Sequence, residues 1–204
     1  NSRVLTDDFR INNIKIISVK NLILNINWKK LIEESKTAYC HGDPQPENII
    51  VNKNNIKVID FRDNFGKNIF YFDIYYDLAK LLHGLIVSHE AIAKNLFYVE
   101  WKNNKMSFKL NRKLILEKCE MRFNEWCLKN NFSLKKIRIL TGLVYLNIAP
   151  LHHRRYSLFL YALGKSILKK ELIKKNSPCH RIENSRYPTA ACFCSRLYGP
   201  PLWH

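Results

Sequence analysis

The chain has 204 residues, 47% of them hydrophobic and 12% aromatic, which is enough for one sizeable core and excludes a disordered polymer. Its formal charge of +17 allows an anionic partner, but the 34 basic residues are spread along the chain beside Asn and Ile, which argues against a nucleic-acid partner. No run of 18 apolar residues occurs, since the most apolar stretch, 139–151, is broken by Thr141, Gly142, Asn147 and Pro150, so no membrane span is expected.

In chain order, the first residues, Asn1 to Asp8, show neither a starting Met nor the basic-then-apolar pattern of a signal peptide, and the chain reads as beginning partway through something. Residues 26–37 place Trp28, Leu31 and Ile32 on one face of an expected helix. A β-hairpin follows, with Ile49 to Val51 and Ile56 to Ile59 as strands around the polar turn 52–55. Asp73 is an expected N-cap for a helix through Tyr76, Leu78, Ala79, Leu81 and Leu82 to about Leu85. A second hairpin is expected from 96–101 and 106–110 around Lys102 to Lys105. Three longer helices are expected over about 111–130, 133–149 and 154–174. The middle one sets Leu134, Ile137, Leu140, Val144 and Ile148 at helical spacing, is capped by Ser133 and ends at Pro150.

Of six cysteines, Cys40, Cys119 and Cys127 lie in apolar or helical context, the setting of free thiols in a reducing cytoplasm. From Asn176 the composition turns to Pro, Cys, Arg, Ser and aromatics without period, an irregular tail over 176–204 that is either native or out of frame. Cys179, His180, Cys192 and Cys194 within it match no standard zinc-ligand spacing.

The chemistry concentrates in residues 40–63, Cys-His-Gly-Asp-Pro-Gln-Pro-Glu-Asn-Ile-Ile-Val-Asn-Lys-Asn-Asn-Ile-Lys-Val-Ile-Asp-Phe-Arg-Asp. Phosphoryl transfer needs an acceptor hydroxyl that is oriented and relieved of its proton, and a divalent metal that neutralises phosphate charge. Asp43 suits the first task. Asn48 and Asp60 suit the second, since hard Mg²⁺ takes oxygen ligands from one or two side chains and completes its octahedron with phosphates and water. His41 is expected to pack and hydrogen-bond within the loop, because a carboxylate already occupies the position of the base.

His41-Gly42-Asp43 through Asn48, then Ile59-Asp60-Phe61, resembles the His-Arg-Asp, Asn and Asp-Phe-Gly pattern of protein kinases. Gly42 replaces the Arg of that pattern, Gln45 stands where a protein-serine kinase usually carries Lys, and Arg62 replaces the last Gly. No Ala-Pro-Glu follows, and only 16 residues lie between Asp60 and Asp77, little room for a peptide-docking segment.

With Tyr76-Asp77-Leu78-Ala79-Lys80-Leu81 added, the pattern is more similar to the aminoglycoside phosphotransferase and choline kinase group of small-molecule kinases. Arg62, Asn64-Phe65-Gly66 and the Tyr76 to Lys80 stretch are also similar to phosphotransferase-like proteins of surface-polysaccharide pathways, although Phe61 and Asp63 stand where Pro and Gly are expected. The resemblance is specific over 38–85 and architectural over 86–174. It implies an α+β, mainly helical fold: a protein-kinase-like C-terminal lobe over 1–175, with a catalytic-loop β-hairpin and several packed helices. It also implies Mg²⁺ and ATP, a small hydroxylated substrate, Asp43 as catalytic base, Asn48 and Asp60 as metal ligands, and Asp77 as a buried brace for the loop.

With six glycines and no Gly-x-Gly, the chain has no phosphate-binding Gly-rich loop, and residues 1–37 read as too short and too helical for the N-terminal ATP lobe of such enzymes. The expectation is a C-terminal lobe whose N-terminal lobe is missing and which is inactive by itself. A non-catalytic binding or scaffold module stays open as the alternative. For the substrate, Glu125, Trp126, Tyr145, His152, His153 and Arg154 are available but unplaced, with His152-His153 either a ligand pair or a polar helix start beside Pro150.

Overall fold

The computed structural model describes residues 9–53, 55–62 and 71–173, and there the chain is α+β with more helix than strand. The described residues open with a hairpin, β1 (Phe9–Ile11) and β2 (Ile14–Ile16), two short strands ahead of a stretch that is otherwise mainly helical, as expected. The turn residues Asn12 and Asn13 both take the left-handed conformation, at φ 48° and 66°, that a tight hairpin asks for and Asn tolerates. Ser18 then caps α1 (Val19–Leu24), and Asn27 caps α2 (Trp28–Glu33), each side chain accepting a backbone N–H three residues on.

The α2 helix is shorter than the 26–37 span expected, and of the three residues assigned to its inner face only Leu31 is buried. Trp28 and Ile32 are 44% and 71% exposed. The Trp28 indole N–H donates back to the Ile23 carbonyl at 3.2 Å, which holds the ring along the end of α1.

β3 (Thr37–Tyr39) follows, then the loop of interest, then the expected hairpin as β4 (Ile49–Asn52) and β5 (Asn55–Val58), paired from Ile49↔Val58 to Asn52↔Asn55. β6 (Tyr71–Asp73) returns to pair antiparallel with β3, Thr37 opposite Asp73. Asp73 caps α3 (Ile74–Ile86) by accepting the Tyr75 N–H, as expected. After α4 (His89–Ala93), the second hairpin forms from β7 (Phe97–Lys102) and β8 (Lys105–Leu110), turning on Asn103 and Asn104 at φ 50° and 54°. β1 joins it in parallel, giving the sheet order β2-β1-β8-β7. The remaining helices are α5 (Leu114–Lys129), α6 (Leu134–Ile148, capped by Ser133) and α7 (Arg154–Ile173), with Pro150 in a 3₁₀ turn between the last two.

Two apolar clusters hold these elements. One packs the sheet against α1, α6 and α7 through Phe9, Ile11, Met106, Ile139, Phe159 and Leu160. The other joins α3, α5 and α6 through Tyr75, Leu78, Leu82, Phe123, Cys127 and Ile137. Because α6 sits between α3 and α7, it buries Ile139, Thr141 and Tyr145 as well as the Ile137 and Val144 of the expected stripe.

Lys136 is also buried there, its ammonium donating to Leu31 O at 2.7 Å and Ser35 Oγ at 3.1 Å and pairing with Asp73 at 2.7 Å. Cys40 and Cys127 are buried free thiols, and Cys119 is a free thiol exposed on α5, in the helical context expected for it. Among the described residues no helix is long and apolar enough to cross a membrane. The tail 176–204, with Cys179, His180, Cys192 and Cys194, lies outside the described residues, as do Asn64, Phe65 and Gly66.

Candidate active site

The loop Cys40 to Asn48 is fixed from beneath by α3. Asp77, on the first turns of that helix and fully buried, accepts the His41 N–H at 2.7 Å and the Gly42 N–H at 2.9 Å, one on each carboxylate oxygen. Two charge-assisted bonds to consecutive amides leave the loop backbone little freedom. Gly42 completes the turn at φ +87°, and a Cβ there would come within 2.6 Å of the Arg62 Cβ, so both the conformation and the space require glycine. Gly84, two turns further along α3, lets Pro46 approach, since a Cβ on it would meet the Pro46 Cδ at 2.4 Å.

His41 works as a strut. Its Nδ1 accepts the Asp43 N–H at 3.1 Å, which leaves Nε2 to carry the proton and donate to the Ile59 carbonyl at 2.9 Å. The ring lies 4.1 Å from that of Phe61, and the Arg62 N–H donates to the His41 carbonyl. The histidine therefore ties the loop to the far end of β5. Cys40, beside it, offers no nucleophile: burial first, then the Asp77 charge, pushes its thiol up to about 12.

Asp43 and Asn48 are in direct contact, the Asn48 Nδ2 donating to the Asp43 carbonyl at 3.0 Å, which leaves Oδ1 as the acceptor of that amide. A 3₁₀ turn, Pro46–Asn48, makes this possible, and the Ile59 N–H closes the ring by donating to the Asn48 carbonyl. Asp60 joins them through the backbone of Ile59, exposed and in the left-handed conformation at φ 62°, a strained setting of the kind that collects at functional sites. Two oxygen donors, Asn48 Oδ1 and the Asp60 carboxylate, are what Mg²⁺ takes from protein when phosphates and water supply the rest, so the donor set fits that ion. No group of three or more His, Cys, Asp or Glu among the described residues is arranged to hold a metal.

Sequence reasoning assigned no role to three neighbours. Lys80 on α3 brings its ammonium to 2.9 Å from Asp43 Oδ1, close enough to pair but off the hydrogen-bond line, so that oxygen has no directed donor. Arg62 reaches the Tyr76 hydroxyl at 3.4 Å. Glu47 accepts the His89 N–H and so links the loop to α4. Only Lys80 carried a cue, its place three residues after Asp77 on the same helix face.

The residues left unplaced for substrate separate clearly. Tyr145 is core, wholly buried and donating to the His83 carbonyl at 2.7 Å, and so is not available to a ligand. Trp126 stacks on Phe132 and Glu125 pairs with Arg122. His152 and His153 are exposed at the start of α7 with both rings against Tyr156, and the His153 carbonyl accepts the Ser157 N–H of the first helical turn.

Compared with known proteins, the chain matches no family model, no curated protein and no solved structure.

Proposed function

We propose that the chain carries the catalytic loop of a Mg-ATP-dependent phosphotransferase acting on a hydroxyl of a small molecule, in a protein-kinase-like C-terminal lobe of the aminoglycoside phosphotransferase and choline kinase type. The observation that supports it most is the double acceptance of the His41 and Gly42 amides by Asp77, joined to the His41 strut to Ile59, because together they tie the backbone next to Asp43 to the backbone next to Asp60. Asp43 receives the acceptor's proton as that oxygen attacks the terminal phosphorus. Asn48 Oδ1 and Asp60 are the groups that would hold the metal, which neutralises phosphate charge when bound. A small acceptor suits the 16 residues between Asp60 and Asp77. A cytoplasmic setting goes with it, since ATP is kept there and Cys40 and Cys127 are free thiols.

Titration calorimetry with Mg-ATP on the full-length protein that contains this lobe, followed by turnover of wild type and Asp43→Asn, tests this assignment. The expected result is binding in both and a loss of turnover of about a thousandfold in the variant. Undiminished turnover in Asp43→Asn removes Asp43 from its role, and absence of Mg-ATP binding favours the non-catalytic binding module instead.

A further inference from the structure

From Cys40 to Asn52 the chain has no Lys or Arg, yet it carries Asp43 and Glu47, and Asp60 follows at the end of β5. A phosphoryl group entering there meets carboxylates and no cation of the loop's own. The cation comes instead from α3. Lys80 lies one turn beyond Asp77 on the face that meets the loop, so one helix holds the loop backbone with a carboxylate and the loop carboxylate with an ammonium.

The placement is costly, which makes it informative. The Lys80 side chain is only 9% exposed against 24% for Asp43, and an ammonium held out of water loses hydration that one imperfectly aligned ion pair does not replace. A lysine free to choose extends its head to solvent. An ammonium has three N–H donors, and Asp43 Oδ1 engages at most one of them. His83, the next residue on this face, adds no second charge: burial, then the charge of Lys80, holds its imidazole down to about 4, so it is neutral near pH 7.

We propose that Lys80 is a further catalytic residue of this site, which aims Asp43 in the free protein and donates to the oxygens of the phosphoryl group during transfer. The inference rests on phosphotransfer from a nucleoside triphosphate occurring here. In that step the acceptor O–H proton goes to Asp43 and the acceptor oxygen bonds to the γ-phosphorus. The bond from that phosphorus to the β,γ-bridging oxygen breaks, and its electron pair leaves with the diphosphate. Lys80 forms no covalent bond; it offsets charge on the transferring oxygens, as an oriented donor does elsewhere.

Turnover of Mg-ATP by the full-length protein that contains this lobe, with water as acceptor, tests the role in wild type, Asp43→Asn, Lys80→Met and Lys80→Arg, each checked for an unchanged melting midpoint. The expected result is a fall in kcat of about 100-fold for Lys80→Met, with KM for Mg-ATP within about threefold, and recovery of at least about a tenth of the rate in Lys80→Arg. Should Lys80→Met fail to fold, Lys80→Gln, which has a shorter stem and a neutral NH₂ donor end, is read by the same criteria. If Asp43→Asn is inactive while Lys80→Met turns over within about threefold of wild type, the role of Lys80 is overturned and phosphotransfer stands. A rise in KM with kcat unchanged also overturns it, since Lys80 then serves binding alone. A wild type that turns over no Mg-ATP, or an Asp43→Asn as active as wild type, overturns both assignments.

Discussion

The backbone N–H of His41 donates to the Asp77 carboxylate at 2.7 Å, inside the protein and across 36 positions of chain. With the Gly42 bond beside it, this makes Asp77 the fixed point from which the loop is hung. Asp77→Asn keeps the shape but replaces one accepting oxygen with an NH₂ that faces a buried N–H. One charge-assisted bond is lost and one buried donor is left unpaired, a cost of about 2–4 kcal/mol. Urea unfolding measures the loss. Amide exchange locates it, because the His41 and Gly42 amides should lose protection while those of α6 keep theirs; uniform loss of protection would contradict a local role.

Protonation of His83 should make stability fall in acid. Burial, reinforced by Lys80, depresses its imidazole from near 6.5 to about 4. Between those values the unfolded chain binds the proton and the folded one does not, so stability is complete above about pH 6.5 and declines as pH falls toward 4. The shift corresponds to about 3 kcal/mol. Denaturation at pH 7.5 and pH 4.5 in wild type and His83→Phe should show a shallower decline in the variant, since a ring of similar size then fills the site without a proton to gain. Equal declines in the two proteins would remove His83 as the cause.

What the sequence revealed follows from how far each signal reaches. The Asp73 cap, the Ser133 cap and both expected hairpins were legible because each is written within a few consecutive residues. The pairing of β3 with β6 was not, since each strand has three residues and more than thirty separate the partners, too little for alternation to show. The apolar stripe of α6 was only half read: a single stripe predicts one buried face, and this helix is covered by α3 on one side and α7 on the other. Among the candidate site residues, the acids and amide of 40–60 were singled out by spacing, and the bracing position of Asp77, which accepts two loop amides, by its being a carboxylate within an apolar helix. Lys80 and Lys136 did not, because a lysine in a basic chain is read as solvated until its partner, Asp43 or Asp73, is brought beside it by the fold.

Gly84→Ala sets two effects of opposite sign against each other. Within the helix interior the change should stabilise α3 by about 0.5–1 kcal/mol, since alanine loses less backbone entropy than glycine. The new Cβ, however, would stand 2.4 Å from Pro46 Cδ and 3.3 Å from Gln45 Cβ. Proline is a rigid ring at the start of the 3₁₀ turn that sets Asn48, so the loop must move by about an ångström to restore contact, and overpacking of that size costs about 1–3 kcal/mol. The steric cost exceeds the gain in helix propensity, and a net loss of about 1–2 kcal/mol is expected in urea unfolding. Backbone chemical shifts should change most over residues 43–48 and little in α7, and Mg-ATP turnover should fall by more than the stability loss alone accounts for. A Gly84→Ala variant more stable than wild type, with those shifts unmoved, would show that α3 and the loop are not in the close contact that positions Asn48.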